Sequence, residues 1–348
     1  MKNKVLDVAL VGEAPAVRSL SPTSASAWRQ CELKFALAYL YGWRESGTLP
    51  QLIGNTAHKA IEVLYGLPGP ERLRPVASEL LREAYDAEVA VPAFGHMCEH
   101  HTGLREQVLT VGEDCLDGLF ELEDPRYVTV GPDGLEVWVR AELYGAPING
   151  KIDRIYDASG AYVVADYKSG ATPKSRYRPK AFFGLWTYAA ALAASDPDHV
   201  LPDRIELLYL VGRDRLARPV LRDVALEHAK GLARDWRAVG EAVRMNVVQA
   251  RTGPLCNWCA FAPACPAKTP PLRGRSAPAV GSAEHEEVLT GLGLTRRRAV
   301  PAQPGGVGAG RDRDAGSAWP EEATVADLDR MMTVTSEAEA AAGTLEDA

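Results

Sequence analysis

The stretch from Ile148 to Gly170, I-N-G-K-I-D-R-I-Y-D-A-S-G-A-Y-V-V-A-D-Y-K-S-G, constrains the fold more than any other part of the chain. Ile148, Ile152 and Ile155 stud its first half, and Tyr162, Val163 and Val164 fill its second. Between them lies Asp157-Ala158-Ser159-Gly160, a polar turn ending in a glycine for which positive φ costs little. Two β-forming runs joined in this way predict a hairpin. Residues two apart on a strand share a face, so Asp166 and Lys168 project together, and hairpin pairing brings Asp153 to the same end. Two carboxylates and an ammonium then converge at a strand end.

Converging carboxylates repel, and a divalent cation offsets that repulsion. Mg²⁺ takes hard oxygen ligands, commonly one or two carboxylates with water and phosphate completing its shell. A bound metal lowers the pKa of its water and polarises a phosphoryl oxygen. Lys168 would then position the attacking water or stabilise charge growing on a phosphate. The same side chains also suit a solvated salt-bridge set, and a lone D-x-K is too short a pattern to decide.

The surrounding pattern predicts an α/β fold, a small mixed sheet flanked by helices. Ser21-Pro22-Thr23-Ser24 offers N-caps for a helix running through Trp28, Cys31, Phe35 and Leu40. Further helices are expected over residues 52–65, 71–89, 104–122, 180–194 and 226–246. Strands are expected at 135–143, 204–211 and 217–220. With 46% hydrophobic and 24% charged residues, the 348-residue chain has the composition of a soluble globular protein. No apolar run is long enough to cross a bilayer, and the apolar piece Val5–Val11 lacks a signal-peptide layout, so a cytoplasmic location is expected.

Charge and composition divide the chain. Residues 269–348 hold eight Arg, no Lys and thirteen Asp or Glu, and so carry −5 of the total charge of −7. Residues 1–268 carry −2, so any surface for an acidic partner must be local. The expected organisation is a loose N-terminus at 1–20, a folded body at 21–268, and a mostly disordered acidic, Gly/Pro-rich tail at 269–348. Residues 321–332 are a candidate short helix in that tail, either an idle segment, the better-favoured reading, or a docking segment for a protein partner.

Cys256-x2-Cys259-x5-Cys265, held among Pro254, Pro263 and Pro266, has the layout of a metal or iron–sulfur loop. Cys31, far upstream, can supply a fourth thiolate. A [4Fe–4S] cluster or a zinc ion on these four would staple the first helix to the end of the ordered body. Cys98, in H-M-C-E-H-H, reads as part of a polar surface patch, and Cys115 is left over. After Lys168 the loop S-G-A-T-P-K-S-R-Y-R-P-K places Lys174, Arg176, Arg178 and Lys180 around Tyr177 with no acid among them. Cations neutralise phosphates and an aromatic stacks on an unpaired base, so this loop predicts contact with DNA.

Taken in order, S-P-T-S-A-S-A-W-R-Q-C, G-N-T-A-H-K-A-I-E, G-K-I-D-R-I, A-D-Y-K-S-G and the three late cysteines resemble RecB-family exonucleases of the PD-(D/E)XK superfamily. The likeness is to the iron–sulfur branch that includes CRISPR-associated RecB-like exonucleases and the AddB nuclease domain, and it covers about residues 20–268. The resemblance implies a restriction-endonuclease-like core with His58, Asp153 and Asp166 as ligands of Mg²⁺ or Mn²⁺. It also implies that the backbone carbonyl of Tyr167 faces the metal and that Lys168 is the catalytic lysine. Glu62 shares the His58 helix face at i, i+4 and is expected to orient His58 or to form a salt bridge. Glu136, on the preceding strand, is a weaker candidate. One departure is plain. The family's Q-x-x-x-Y reads here G-L-W-T-Y: Tyr188 is present, as a DNA-contacting residue by resemblance, but Gly184 stands where the Gln is expected. The implied function is metal-dependent hydrolysis of DNA, exonucleolytic, at a single-stranded end, in repair, recombination or CRISPR-type processing. The alternative is a non-catalytic DNA-binding adaptor on the same scaffold.

Overall fold

The computed structural model describes residues 4–11, 17–44, 46–268 and 278–296. In chain order the elements are β1 (Val5–Ala9), α1 (Pro22–Gln30), α2 (Glu32–Phe35), β2 (Trp43–Arg44), α3 (Leu49–Gly66), α4 (Arg74–Val89), α5 (Gly95–His100) and α6 (Leu104–Leu122). Then come β3 (Leu135–Leu143), β4 (Ala146–Ala158), β5 (Ala161–Lys168), α7 (Arg178–Ala181), α8 (Phe183–Ser195), β6 (Arg204–Tyr209) and β7 (Asp214–Pro219). Last are α9 (Arg222–Met245), β8 (Val247–Arg251), α10 (Ala283–Gly291) and β9 (Thr295–Arg296). No described helix is long and apolar enough to cross a membrane.

The main sheet has the order β3-β4-β5-β6-β7. Only β5 and β6 run parallel, joined by a crossover that carries α7 and α8; the other neighbours are antiparallel. The hairpin turn has Ser159 at φ 58° and Gly160 at φ 89°, and Asp157 Oδ1 accepts the Gly160 N–H at 2.9 Å. Both central residues are left-handed, the backbone that matches strand twist in a two-residue turn. Two apolar layers cover the sheet. α8 and α9, with α1 and α2, bury Ile148, Val164, Ile205 and Leu207 on one side. α3, α4 and α6 bury Val163, Ala165, Tyr167 and Leu208 on the other.

Ser21 caps α1 as expected: its Oγ accepts the Ser24 N–H at 3.2 Å, and Ser24 Oγ accepts the Ser21 N–H at 2.8 Å. Just before the cap, Leu20 exchanges backbone hydrogen bonds with Pro147 and Asn149, which fixes α1 beside β4. The helix does not continue to Leu40. Cys31 is extended (φ −165°, ψ 114°), and α2 restarts after it. The restart lets the Glu32 carboxylate accept the Gln249 N–H at 2.9 Å and pair with Arg251 at 2.7 Å, anchoring α2 to β8.

Two further differences from the sequence reading concern the ends. Residues 5–9, expected to be loose, form β1, paired antiparallel with β8 about 240 positions away. Residues 278–296, assigned by composition to the tail, include α10 and β9 and bury Val280, Leu289 and Leu294 against the body. A few apolar residues find cover locally although the average over the tail is polar. The proposed helix at 321–332 lies outside the described residues.

Candidate active site

β4 and β5 pair from Arg154 opposite Ala165 to Ala158 opposite Ala161, so one step further Asp153 faces Asp166. There the ladder opens, and the Asp153 side chain completes it: Oδ2 accepts the Tyr167 N–H at 2.8 Å. On the other side Asp153 lies across from Glu136, a non-glycine residue at φ 49° in an otherwise regular register. Such a residue marks local strain, here at the point where β4 changes the layer it serves. Ile152 belongs to the α8/α9 layer, whereas Arg154 and Tyr156 face the α3/α6 layer.

His58 enters from α3, its Nδ1 3.4 Å from Asp153 Oδ2 and its ring edge-on to Tyr167 at 5.8 Å between centroids. Lys168 Nζ forms an ion pair with Asp166 Oδ2, and its side chain is 41% exposed, reaching the mouth of the site. The four side chains that the sequence singled out therefore meet at one strand end. Burial opposes charge on Asp153, but the hydrogen bond and charge of His58, the Tyr167 N–H and Lys168 hold its carboxyl below the usual range. Burial, reinforced by the charge of Asp153, raises Asp166 despite Lys168. Burial disfavours protonation of both His58 and Lys168, yet the neighbouring carboxylates raise both. The site thus separates two adjacent carboxylates into a readily ionised and a reluctant one.

Asp166 Oδ2 is buried and, beyond the Lys168 ion pair, makes no hydrogen bond. An under-satisfied carboxylate beside a second one fits a hard divalent cation, which needs only one or two protein carboxylates and completes its shell with water. Among the described residues, no group of three or more His, Cys, Asp or Glu side chains stands at the spacing that would hold a metal ion.

A family model for the PD-(D/E)XK nuclease superfamily matches residues 19–266. The chain belongs to that superfamily. A search of curated proteins found no match. Among solved structures, a candidate exonuclease from Eubacterium rectale is 14% identical, with 70% of this chain and 87% of that chain covered and a TM-score of 0.44. The protein SSO0001 is 16% identical, with 62% and 85% covered and a TM-score of 0.27.

Within this PD-(D/E)XK protein, the sequence reading missed the group beneath the site. Arg154 follows Asp153 and is fully buried, on the strand face turned away from solvent. Its guanidinium lies 4.3 Å, 4.7 Å and 5.4 Å from the ring centroids of Tyr156, Tyr65 and Tyr167. It donates to both oxygens of Glu123, at 2.5 Å and 3.1 Å. Arg215 joins Glu123 to Glu206 with two contacts of 2.7 Å, and Tyr156 donates to Glu206 at 2.8 Å. The alternation of β4 was the available signal: 154 shares a face with Tyr156, where a charge needs partners.

The remaining candidates are placed as follows. Glu62 pairs with Lys59 at 2.7 Å rather than with His58. Glu136 pairs with Lys151. The half-buried Tyr188 packs over Gly150, where an added Cβ would meet ring atom Cε1 at 2.4 Å, so that glycine makes room for the ring. Burial and the charges of Asp166 and Asp153 raise the Tyr188 hydroxyl, which walls the site as a neutral group. At Gly184 a Cβ would meet Pro22 at 3.6 Å, an ordinary contact, so crowding does not explain the missing Gln. In the basic loop Lys174, Arg176, Tyr177 and Lys180 are exposed, and Arg176 stacks on Tyr177 at 4.7 Å. Arg178 acts on Tyr209, which also senses Lys168 and Asp166, so the loop borders the site.

Cys31, Cys256, Cys259 and Cys265 line one cavity of about 260 Å³ between α2 and the loop after β8. All four are free thiols. Burial raises Cys259 and Cys265, and Cys31 acts on both. A liquid water occupies about 30 Å³, so the cavity has room for a group of several heavy atoms. The four thiols share the cavity wall, but they do not stand at metal-holding spacing among the described residues. His96, Cys98 and His100 are exposed along α5 and His101 just beyond it, and Cys115 is buried, its thiol pushed up to about 12 by burial and Asp114.

Proposed function

We propose that this protein is a divalent-metal-dependent deoxyribonuclease of the RecB-like, iron–sulfur kind, acting exonucleolytically from a single-stranded DNA end. The reading rests on the convergence of His58, Asp153, Asp166 and Lys168 at the end of the β4–β5 hairpin. Asp153, Asp166, His58 and the Tyr167 carbonyl would hold Mg²⁺ or Mn²⁺. The bound ion would supply a more acidic water and charge stabilisation at a phosphoryl oxygen. Asp153 is kept ionised by His58 and the Tyr167 N–H, ready as a permanent oxygen ligand. Lys168, protonated beside Asp166 and open to solvent, orients the attacking water and balances negative charge developing on the phosphate. Tyr188 excludes bulk water from one wall. The basic loop engages phosphates leading to the site. Cys31, Cys256, Cys259 and Cys265 would carry a [4Fe–4S] cluster, with zinc as the alternative, as a staple remote from the chemistry. Repair, recombination or CRISPR-type processing are the settings that consume this activity.

The test is digestion of single- and double-stranded DNA, labelled at either end, with and without Mn²⁺. Wild type should shorten a single-stranded substrate from one end, and Asp153→Ala should not cut. DNA bound but left intact by wild type in Mn²⁺ would favour an adaptor, the reading that Gly184 motivates.

A further inference from the structure

Trp138 is 66% exposed on β3, while its neighbour Val139 is buried. Strand alternation puts Trp138 and Arg140 on the solvent face of the sheet. Trp138 stands directly opposite Lys151 on β4, and Asp153 lies two residues further along that strand, where the β3–β4 ladder is interrupted at Glu136. Trp138 is therefore a diagonal neighbour of Asp153, at about 7–8 Å. That is roughly two steps of the 3.4 Å rise along one nucleic-acid strand. Arg140, opposite Asn149, is exposed beyond Trp138. Leading away from the catalytic carboxylate, the strands thus present the Lys151–Glu136 ion pair, an indole and the exposed cation of Arg140.

We infer that Trp138 is the stacking platform for an unpaired base of the substrate strand, next to the phosphate engaged at Asp153; this rests on the nuclease reading above. An indole face accepts any base, and the exposed Arg140 beyond it matches an adjoining phosphate. The platform selects a single-stranded end over paired DNA, because a paired base keeps its faces inside the stack.

The experiment uses the full chain carrying Trp138→Ala or Trp138→Phe. Binding to a labelled oligothymidylate and to a blunt hairpin duplex is measured in EDTA, and steady-state cleavage in Mn²⁺. Trp138→Ala should weaken single-strand binding about tenfold or more and raise KM similarly, with kcat changed less than about twofold. Trp138→Phe should retain most of the affinity, and duplex binding should not change. Unchanged single-strand affinity in Trp138→Ala, or equal loss on both substrates, overturns the proposal. So does a change in oligomeric state on substitution, which would assign Trp138 to a protein contact. Wild type that neither binds nor cuts DNA would instead defeat the parent reading.

Discussion

At the scale of single residues, protonation is the clearest handle. His228, on α9, lies 2.8 Å through Nε2 from Thr187 Oγ1, whose own proton goes to the Phe183 carbonyl at 3.0 Å. The hydroxyl must therefore accept, so Nε2 carries the histidine proton. Burial, with help from Arg29, lowers the imidazole from 6.5 to about 4. The folded state thus resists a proton that the unfolded chain accepts. The stability linked to His228 is complete above about pH 6.5 and is lost as pH falls toward 4, by at most about 1.4 kcal/mol per pH unit. Urea midpoints at pH 7 and pH 5 should fall further in wild type than in His228→Gln, which keeps a donor for Thr187. At the site itself, Lys168→Ala should reduce the cleavage rate by at least about a hundredfold without changing the thermal midpoint by more than a few degrees. A rate within tenfold of wild type would remove the lysine from the chemistry.

At the scale of elements, β4 and β5 hold the account together. The Arg154 group ties the hairpin to α3 through Tyr65 and to β6 and β7 through Glu206 and Arg215. Arg154→Met leaves Glu123 buried with one cation fewer and should cost about 3–5 kcal/mol, read as a loss of denaturation midpoint. A shift below about 1 kcal/mol would mean that the tyrosine cage tolerates an apolar occupant. The loop between β5 and α8 has a separate signature. Arg176→Ala with Arg178→Ala should weaken DNA binding and lower the slope of log affinity against log salt by about 2. An unaltered slope would take the loop off the DNA path. The hairpin was legible in the sequence because alternation, turn chemistry and D-x-K spacing all act within about twenty residues. Arg154 was not, since its burial depends on Glu123, Tyr65 and Arg215, each from a different element.

At the scale of the molecule, long-range pairing explains what local patterns missed. β1 is five residues long, and among the described residues its ladder is with β8, about 240 positions away. The α10 segment is held by buried Val280, Leu289 and Leu294, by the Val11 N–H to Val280 carbonyl bond at 2.9 Å, and by the pairing of β9 with β2. The break at Cys31 likewise serves a distant partner, turning the thiol toward the three late cysteines. That Cys31 comes beside the three late cysteines was legible, but the helix break that brings it there was not. If the cavity holds a cluster, anaerobically purified protein should absorb broadly in the visible and bleach with dithionite. Cys256→Ser should lose that absorption and melt earlier, because α2 and the β8 loop lose their link. Colourless protein containing stoichiometric zinc would replace the cluster with a zinc staple.

The measurement that bears most directly on the whole account is Mn²⁺ binding to the purified chain, followed by the spectroscopic loss of free ion. Wild type should take up Mn²⁺ saturably, and Asp153→Ala should bind at least about tenfold more weakly while keeping its fold. No saturable Mn²⁺ uptake by wild type, or equal uptake by both proteins, would contradict a metal centre at the end of the hairpin.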